Sequence, residues 1–172
     1  MKLSEIAQSG NANHTEIKQW LYTLRINNYT IRPDGTVDVD GDVCFYSALK
    51  EIILPVQFGK VSGKVSAGTS PLLSLHGFPQ YIGGDLFIHN THIKSLSGIE
   101  KIINEIHGGV YINPQVTHIL GLLLIPGITG FGIDENSRDP LNTIMNKYRG
   151  TGDILSAQDE LIDAGYKEQA RL

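Results

Sequence analysis

Cys44 is the only cysteine among 172 residues, and the chain has one tryptophan and two methionines. One thiol excludes an intramolecular disulfide framework and fits a reducing compartment, so a cytoplasmic location is expected. The longest apolar run, residues 122–125, falls far short of the ~18 residues of a membrane-spanning helix, and no membrane partner is expected. The opening stretch MKLSEIAQSGNANH has no apolar segment of the kind that directs secretion, so no signal peptide is expected. Basic residues are in the minority, 14 Lys and Arg against 18 Asp and Glu, for a net charge of −4. Nucleic-acid recognition calls for clustered Lys and Arg, so nucleic acid is not an expected partner either.

Catalytic signatures are also missing. No HExxH, paired-cysteine, GxSxG, P-loop or strand-to-helix GxGxxG motif occurs. Six histidines are present; His89 and His92 lie three apart, with His76, His107 and His118 in neighbouring segments. A zinc site needs ligands converging at about 2 Å, usually with a thiolate or carboxylate among them, and no local spacing provides that. Asp34, Asp38, Asp40 and Asp42 imitate a calcium loop. An EF-hand requires Gly at position 6 and Glu at position 12, and counting from Asp38 those places hold Val43 and Leu49. The four read instead as a solvated acidic edge, which also deters strand-to-strand aggregation. The glycine-rich stretch 127–132 lacks the Lys-Ser/Thr ending of a phosphate loop and reads as a further apolar layer. The expectation is no catalytic residue, no metal and no cofactor.

What the chain does have is a degenerate repeat across residues 41–133. GDVCF from Gly41, GKVSA from Gly63, GDLFI from Gly84 and GGVYI from Gly108 follow one another at spacings of 22, 21 and 24 residues. A second landmark keeps the period: LLSLHGF from Leu72, IKSLSGI from Ile93 and VTHILGL from Val116, at spacings of 21 and 23. Units of this size cannot bury an apolar face alone, so they stack as a solenoid. Each GDLFI-type segment alternates like a half-buried strand, predicting four parallel strands at residues 43–45, 65–67, 86–88 and 110–112. Val43, Val65, Leu86 and Val110 then form one inward column, and Phe45, Ala67, Ile88 and Ile112 the next. Cys44, Ser66, Phe87 and Tyr111 face outward, flanked by Tyr46, Gly68, His89 and Asn113. The second landmark supplies inward layers of Leu72, Leu75 and Phe78, then Ile93, Leu96 and Ile99, then Val116, Ile119 and Leu122. Gly77, Gly98 and Gly121 fall in register, which predicts a positive-φ turn at each.

Three stretches carry a resemblance: NYTIRPDGTVDVDGDV at residues 28–43, the repeats LPVQFGKVSGKV and SLHGFPQYIGGDLFIHNTHIKSLSGI, and the tail NKYRGTGDILSAQDELIDAGYKEQARL at 146–172. Together they resemble the degenerate leucine-rich-repeat-like proteins encoded by bacteriophage and related mobile elements. The resemblance implies a short solenoid and a viral source, hence a host bacterial cytoplasm. It implies no catalytic motif. The ladder asparagine of such repeats stands only at Asn90, with Ser70 or Thr69 in the preceding unit.

The flanks read as caps. Ile17, Trp20, Leu21 and Leu24 recur at helical spacing behind Thr15, predicting an amphipathic helix over 16–25 with Trp20 covering the open end of the solenoid. Short strands around Arg32-Pro33-Asp34-Gly35 predict a hairpin, since proline presets φ and glycine accepts the left-handed conformation. Ile99, Ile102, Ile103 and Ile106 recur at three and four, predicting one or two helical turns within 97–106. Asp139-Pro140 and Asp153 start two further helices, the second stopping at Ala164-Gly165.

The expected architecture is therefore a single α+β domain over 1–172. It is a short leucine-rich-repeat-like solenoid with short parallel strands (41–133), between an N-terminal helix and hairpin cap (1–40) and a C-terminal helical cap (134–172). The expected function is non-enzymatic protein–protein interaction, with Phe87, Tyr111, His89 and Tyr46 as the binding surface. A phage product of this kind is expected to act on, or inhibit, a host protein or defence system. The competing readings are a metal-dependent enzyme using the histidines and acidic residues, and a structural component of the virion.

Overall fold

Each repeat begins on glycine because of the corner it has to turn. In the computed structural model, which describes residues 14–45, 53–113, 116, 118–133, 140–148 and 153–166, successive coils touch backbone to backbone there. A Cβ built on Gly108 would lie 2.5 Å from the carbonyl carbon of Gly84, and one on Gly63 would lie 2.7 Å from that of Gly41. No side chain fits at such a distance, so the glycine spacing in the sequence is the spacing of the corners.

The corner separates two strands in every coil. Helix α1 (His14–Thr23) leads to a hairpin of β1 (Tyr29–Ile31) and β2 (Val37–Val39). The chain continues through β3 (Val43–Cys44), β4 (Phe58–Val61), β5 (Val65–Ser66), β6 (Tyr81–Ile82) and β7 (Leu86–Phe87). A 3₁₀ turn at Ile99–Lys101 precedes β8 (Glu105–Ile106) and β9 (Gly109–Ile112), and another at Ile119–Leu124 precedes β10 (Gly130–Ile133). Helices α2 (Pro140–Lys147) and α3 (Ile154–Asp163) follow. The strands form two five-stranded sheets, β1-β2-β4-β6-β8 and β10-β9-β7-β5-β3. Apart from the antiparallel hairpin β1–β2, every pairing among the described residues is parallel. The architecture is a parallel β-solenoid with helices at its ends.

In the second sheet the register is the one the repeat predicts. Val43 pairs with Val65, Val65 with Leu86 and Leu86 with Val110. All four are fully buried, as are Phe45, Ala67 and Ile88, with Ile112 at 3% exposure. The layers of Leu72, Leu75 and Phe78, of Ile93, Leu96 and Ile99, and of Val116, Ile119 and Leu122 are buried too. Each such side chain contributes roughly 1.5–3 kcal/mol when fully removed from water. The stretch 127–132, an apolar layer by sequence, runs into β10, which adds a fifth parallel rung beside β9.

The first sheet is the main departure. Its strands β4, β6 and β8 have no shared motif, and the residues expected to be helical within 97–106 divide differently. Only Ile99–Lys101 is 3₁₀, and Glu105–Ile106 is strand. A 3₁₀ turn followed by an extended stretch also buries Ile99, Ile103 and Ile106, so the spacing mimics a helix without being one. The glycine expectation is corrected at one position. Gly77 (φ 83°) and Gly98 (φ 77°) are left-handed, but Gly121 is not. Gly121 sits inside the 3₁₀ segment, and the left-handed turns there fall at His118 (φ 55°) and Gly127 (φ 86°). The ladder position is held by conformation as much as by chemistry: Thr69 and Asn90 are both left-handed, at φ 64° and 55°.

Helices lie at both ends of the described coils, the first over His14–Thr23 where 16–25 was expected. Trp20 is buried with Ile17 and Leu21, and its ring lies 6.1 Å from that of Phe58, the first of an internal aromatic chain continuing to Phe45 and Phe78. At the far end α2 packs on β10 and on α3, burying Ile144, Met145, Ala157 and Leu161. Asp153 caps α3 by accepting a hydrogen bond from Ser156 N–H, and Gly165 ends it with φ 93°. The expected cap at Asp139 lies outside the described residues.

Candidate functional site

The outward face of the second sheet is built by alternation. Once Val65, Leu86 and Val110 point inward, Ser66, Phe87 and Tyr111 must point out. Parallel pairing sets Phe87 directly opposite Tyr111. Their rings stack at 4.5 Å between centroids with planes 7° apart. Phe87 is half-buried, and Tyr111 remains 37% exposed.

The rest of the column decides how the rings are presented. In β10 the residue paired with Tyr111 is Gly132. A Cβ there would collide with Tyr111 Cδ1, so the ring lies against Gly132 backbone on the side away from Phe87. Gly109, two residues before Tyr111 on the same strand, leaves room for the hydroxyl end; a Cβ there would sit 3.0 Å from the Tyr111 oxygen. Phe87 thus covers one face of Tyr111, the Gly132 backbone lies on the opposite side, and the residue keeps 37% of its surface exposed. His89 stands edge-on to Phe87, centroids 5.9 Å apart and planes at 85°. It leans over Gly68 of the preceding coil, where a Cβ would meet its Nε2 at 3.0 Å. Phe87, Tyr111 and His89 therefore form one continuous ridge. Tyr46 lies outside the described residues. The sequence pattern did not point to Gly132 and Gly109; the signal it held was that the stretch at 130–133 repeats the strand at 109–112.

The first sheet presents a different face. Arg32 holds Asp38 through two hydrogen bonds of 2.8 Å. Lys60 Nζ lies 4.7 Å from the centre of the Tyr81 ring, which packs 5.2 Å from His107. His107 Nε2 meets Glu105 at 3.0 Å. The Arg32–Asp38 and Glu105–His107 contacts are local to one segment each, and the contacts of Lys60 with Tyr81 and of Tyr81 with His107 join neighbouring coils. The acidic edge is likewise engaged: Asp40 accepts from Ser62 Oγ, and Asp38 and Asp42 accept from the main-chain N–H groups of Lys60 and Lys64.

The histidines do not converge. His107 is with Glu105, His118 contacts Ser95 Oγ, and His89 is against Phe87. Among the described residues no three His, Cys, Asp or Glu side chains are grouped to hold a metal ion. No helix among them is long and apolar enough to cross a membrane. In comparison with known proteins, the chain matches no family model, no curated protein and no solved structure.

Proposed function

We propose that this chain is a non-enzymatic binding module whose partner is a protein, engaged across the ridge of Phe87, Tyr111 and His89. The stacked, partly exposed pair Phe87–Tyr111 carries the reading. Two aromatic rings pointing outward from a sheet whose inward column is already full add nothing to the core. Held by each other and by Gly132, they lose little conformational freedom on contact, which is what makes aromatic side chains effective anchors. The presentation favours a polypeptide over a sugar or a base. Those ligands stack on an open ring face, and Tyr111 has one face taken by Phe87 and the Gly132 backbone on its other side. The exposed part of Tyr111, with its phenol group, suits main-chain groups and small side chains.

The finer assignments rest on the resemblance. The regular buried layers of Leu72, Leu75 and Phe78 and of Ile93, Leu96 and Ile99 support the leucine-rich-repeat-like reading. With a bacteriophage source, the partner is a host protein in the bacterial cytoplasm, and the effect on it is inhibitory. The test is a photo-crosslinking amino acid placed at Ser66, beside the ridge, in host lysate. Protein adducts that disappear in the Phe87→Ala/Tyr111→Ala double variant support the proposal. Adducts unchanged by that variant, with its fold intact, overturn it.

A further inference from the structure

A cleft of about 400 Å³ opens where two successive coils leave the buried leucine layers and turn into the first sheet, away from the aromatic ridge. Ser74, His76 and Gln80 line it from one coil and Ser95 and Lys101 from the next. Its volume lies within the range of small-molecule sites. Among the described residues no Asp or Glu lines it, although the chain carries 18 acidic residues against 14 basic ones.

Several groups around the cleft can donate. Ser74 Oγ accepts a hydrogen bond from His76 N–H at 3.3 Å, which leaves the hydroxyl hydrogen to donate. Ser95 lies one coil on, accepting from Ser97 N–H at 3.1 Å and sharing a second hydrogen bond of 3.2 Å with His118 Nδ1, so Ser74 is the hydroxyl directed by this pattern to donate. Gln57 is fixed by donating its carboxamide to the carbonyls of both Phe58 and Phe78, which makes that wall rigid. Lys101 is the one permanent charge among the described residues of the lining, and an ammonium offers three donors and no acceptor. Beside these groups stands an apolar wall: Leu73, 52% exposed, and Ile102.

We propose that this cleft binds a small organic oxyanion, a phosphate- or carboxylate-bearing molecule with a hydroxylated or apolar body. The ammonium and hydroxyl donors take the anionic group, since hydrogen bonds to an ionised acceptor are the stronger kind. Leu73 and Ile102 take the body. The exclusion of carboxylates from the lining follows, because a like charge would repel the ligand.

Glucose 6-phosphate, glucose and inorganic phosphate are suitable probes, titrated into the ¹⁵N-labelled full chain and followed by amide shifts. Saturable shifts at Ser74, His76 and Lys101 with glucose 6-phosphate are expected, with weaker binding of the other two. Lys101→Ala should weaken binding about tenfold, the loss of one charge-assisted hydrogen bond. Lys18→Ala, on the exposed face of α1, should not change it. Equal affinity for glucose and glucose 6-phosphate overturns the anionic part of the proposal, and equal affinity for inorganic phosphate overturns the organic part. Undiminished binding in Lys101→Ala, or no saturable shift at these residues, overturns the site.

Discussion

Asp42 and Asp85 occupy the same position two coils apart, and each carboxylate accepts a hydrogen bond from a main-chain N–H of the following coil. Asp42 takes Lys64 N–H at 2.9 Å, and Asp85 takes Gly109 N–H at 2.7 Å. At the corners, where glycines bring backbones into contact, these side chains fasten one coil to the next. Asp85→Ala should therefore destabilise the fold by about 1–3 kcal/mol, the usual effect of leaving a half-buried donor without its charged acceptor. Asp85→Asn keeps an acceptor oxygen and should retain most of the stability. Urea unfolding distinguishes the two, and faster hydrogen exchange at Gly109 would locate the loss.

The Phe87–Tyr111 stack calls for a double-mutant cycle. Aromatic pairs of this geometry contribute about 0.5–1.5 kcal/mol beyond buried area, and a cycle isolates that coupling. Each single alanine variant should weaken partner binding by ~1–3 kcal/mol. A large fall in melting temperature with binding unchanged per folded molecule would assign both rings to the core instead.

Leu86 lies in the middle of the fully buried column Val43–Val65–Leu86–Val110. Leu86→Ala should destabilise by about 2–5 kcal/mol, combining lost transfer energy with a cavity in a core that relaxes only in part. Thermal or chemical unfolding measures this directly. A value near zero would mean the column is not the core.

The C-terminal cap should loosen in acid. Hydrogen bonds from Ser156 hold the Asp153 carboxyl below its usual value, and those from the Lys147 ammonium and the Tyr148 hydroxyl do the same for Glu160. A depressed carboxylate stabilises the folded state fully above the unfolded-state pKa of ~4, and the contribution is lost as pH falls through the lower folded value. Helix α3 and its contact with α2 should therefore be intact from neutral pH to about pH 5 and exchange faster below about pH 4. Glu160→Gln should reduce that response. Equal protection of α3 at pH 3 and pH 7 would contradict it.

Metal content provides a further check on the binding-module proposal. Purified chain should contain no stoichiometric metal, and chelation should leave its melting temperature unchanged. His89→Ala/His92→Ala should fold normally. A tightly held ion that disappears in that double variant would favour the metal-enzyme reading.

Much of the solenoid was legible because one physical requirement generates two signals. Coils stacked at the distance of paired strands need glycine at each corner and an apolar residue at each inward position, so the corner glycines and the alternation keep the same period. The pattern alone therefore places Phe87 and Tyr111 on one outward column. The helix faces at Ile17, Trp20 and Leu21 and at Ile144 and Met145 are equally local, since periodicity on one element specifies its buried side.

The first sheet was not legible for the opposite reason. Strands β6 and β8 share no motif that recurs from coil to coil, and they are strands because neighbouring coils supply partners for Tyr81–Ile82 and Glu105–Ile106. Sequence also gives the acidic edge only as a run of charges. That Asp38 and Asp42 each bond a backbone N–H 22 residues away is a consequence of stacking. The same holds at the ridge. Local alternation determined that Phe87 and Tyr111 point outward. Only the third dimension decided that the rings lie flat on each other, because that depends on Gly132 arriving from another strand to leave the space Tyr111 fills.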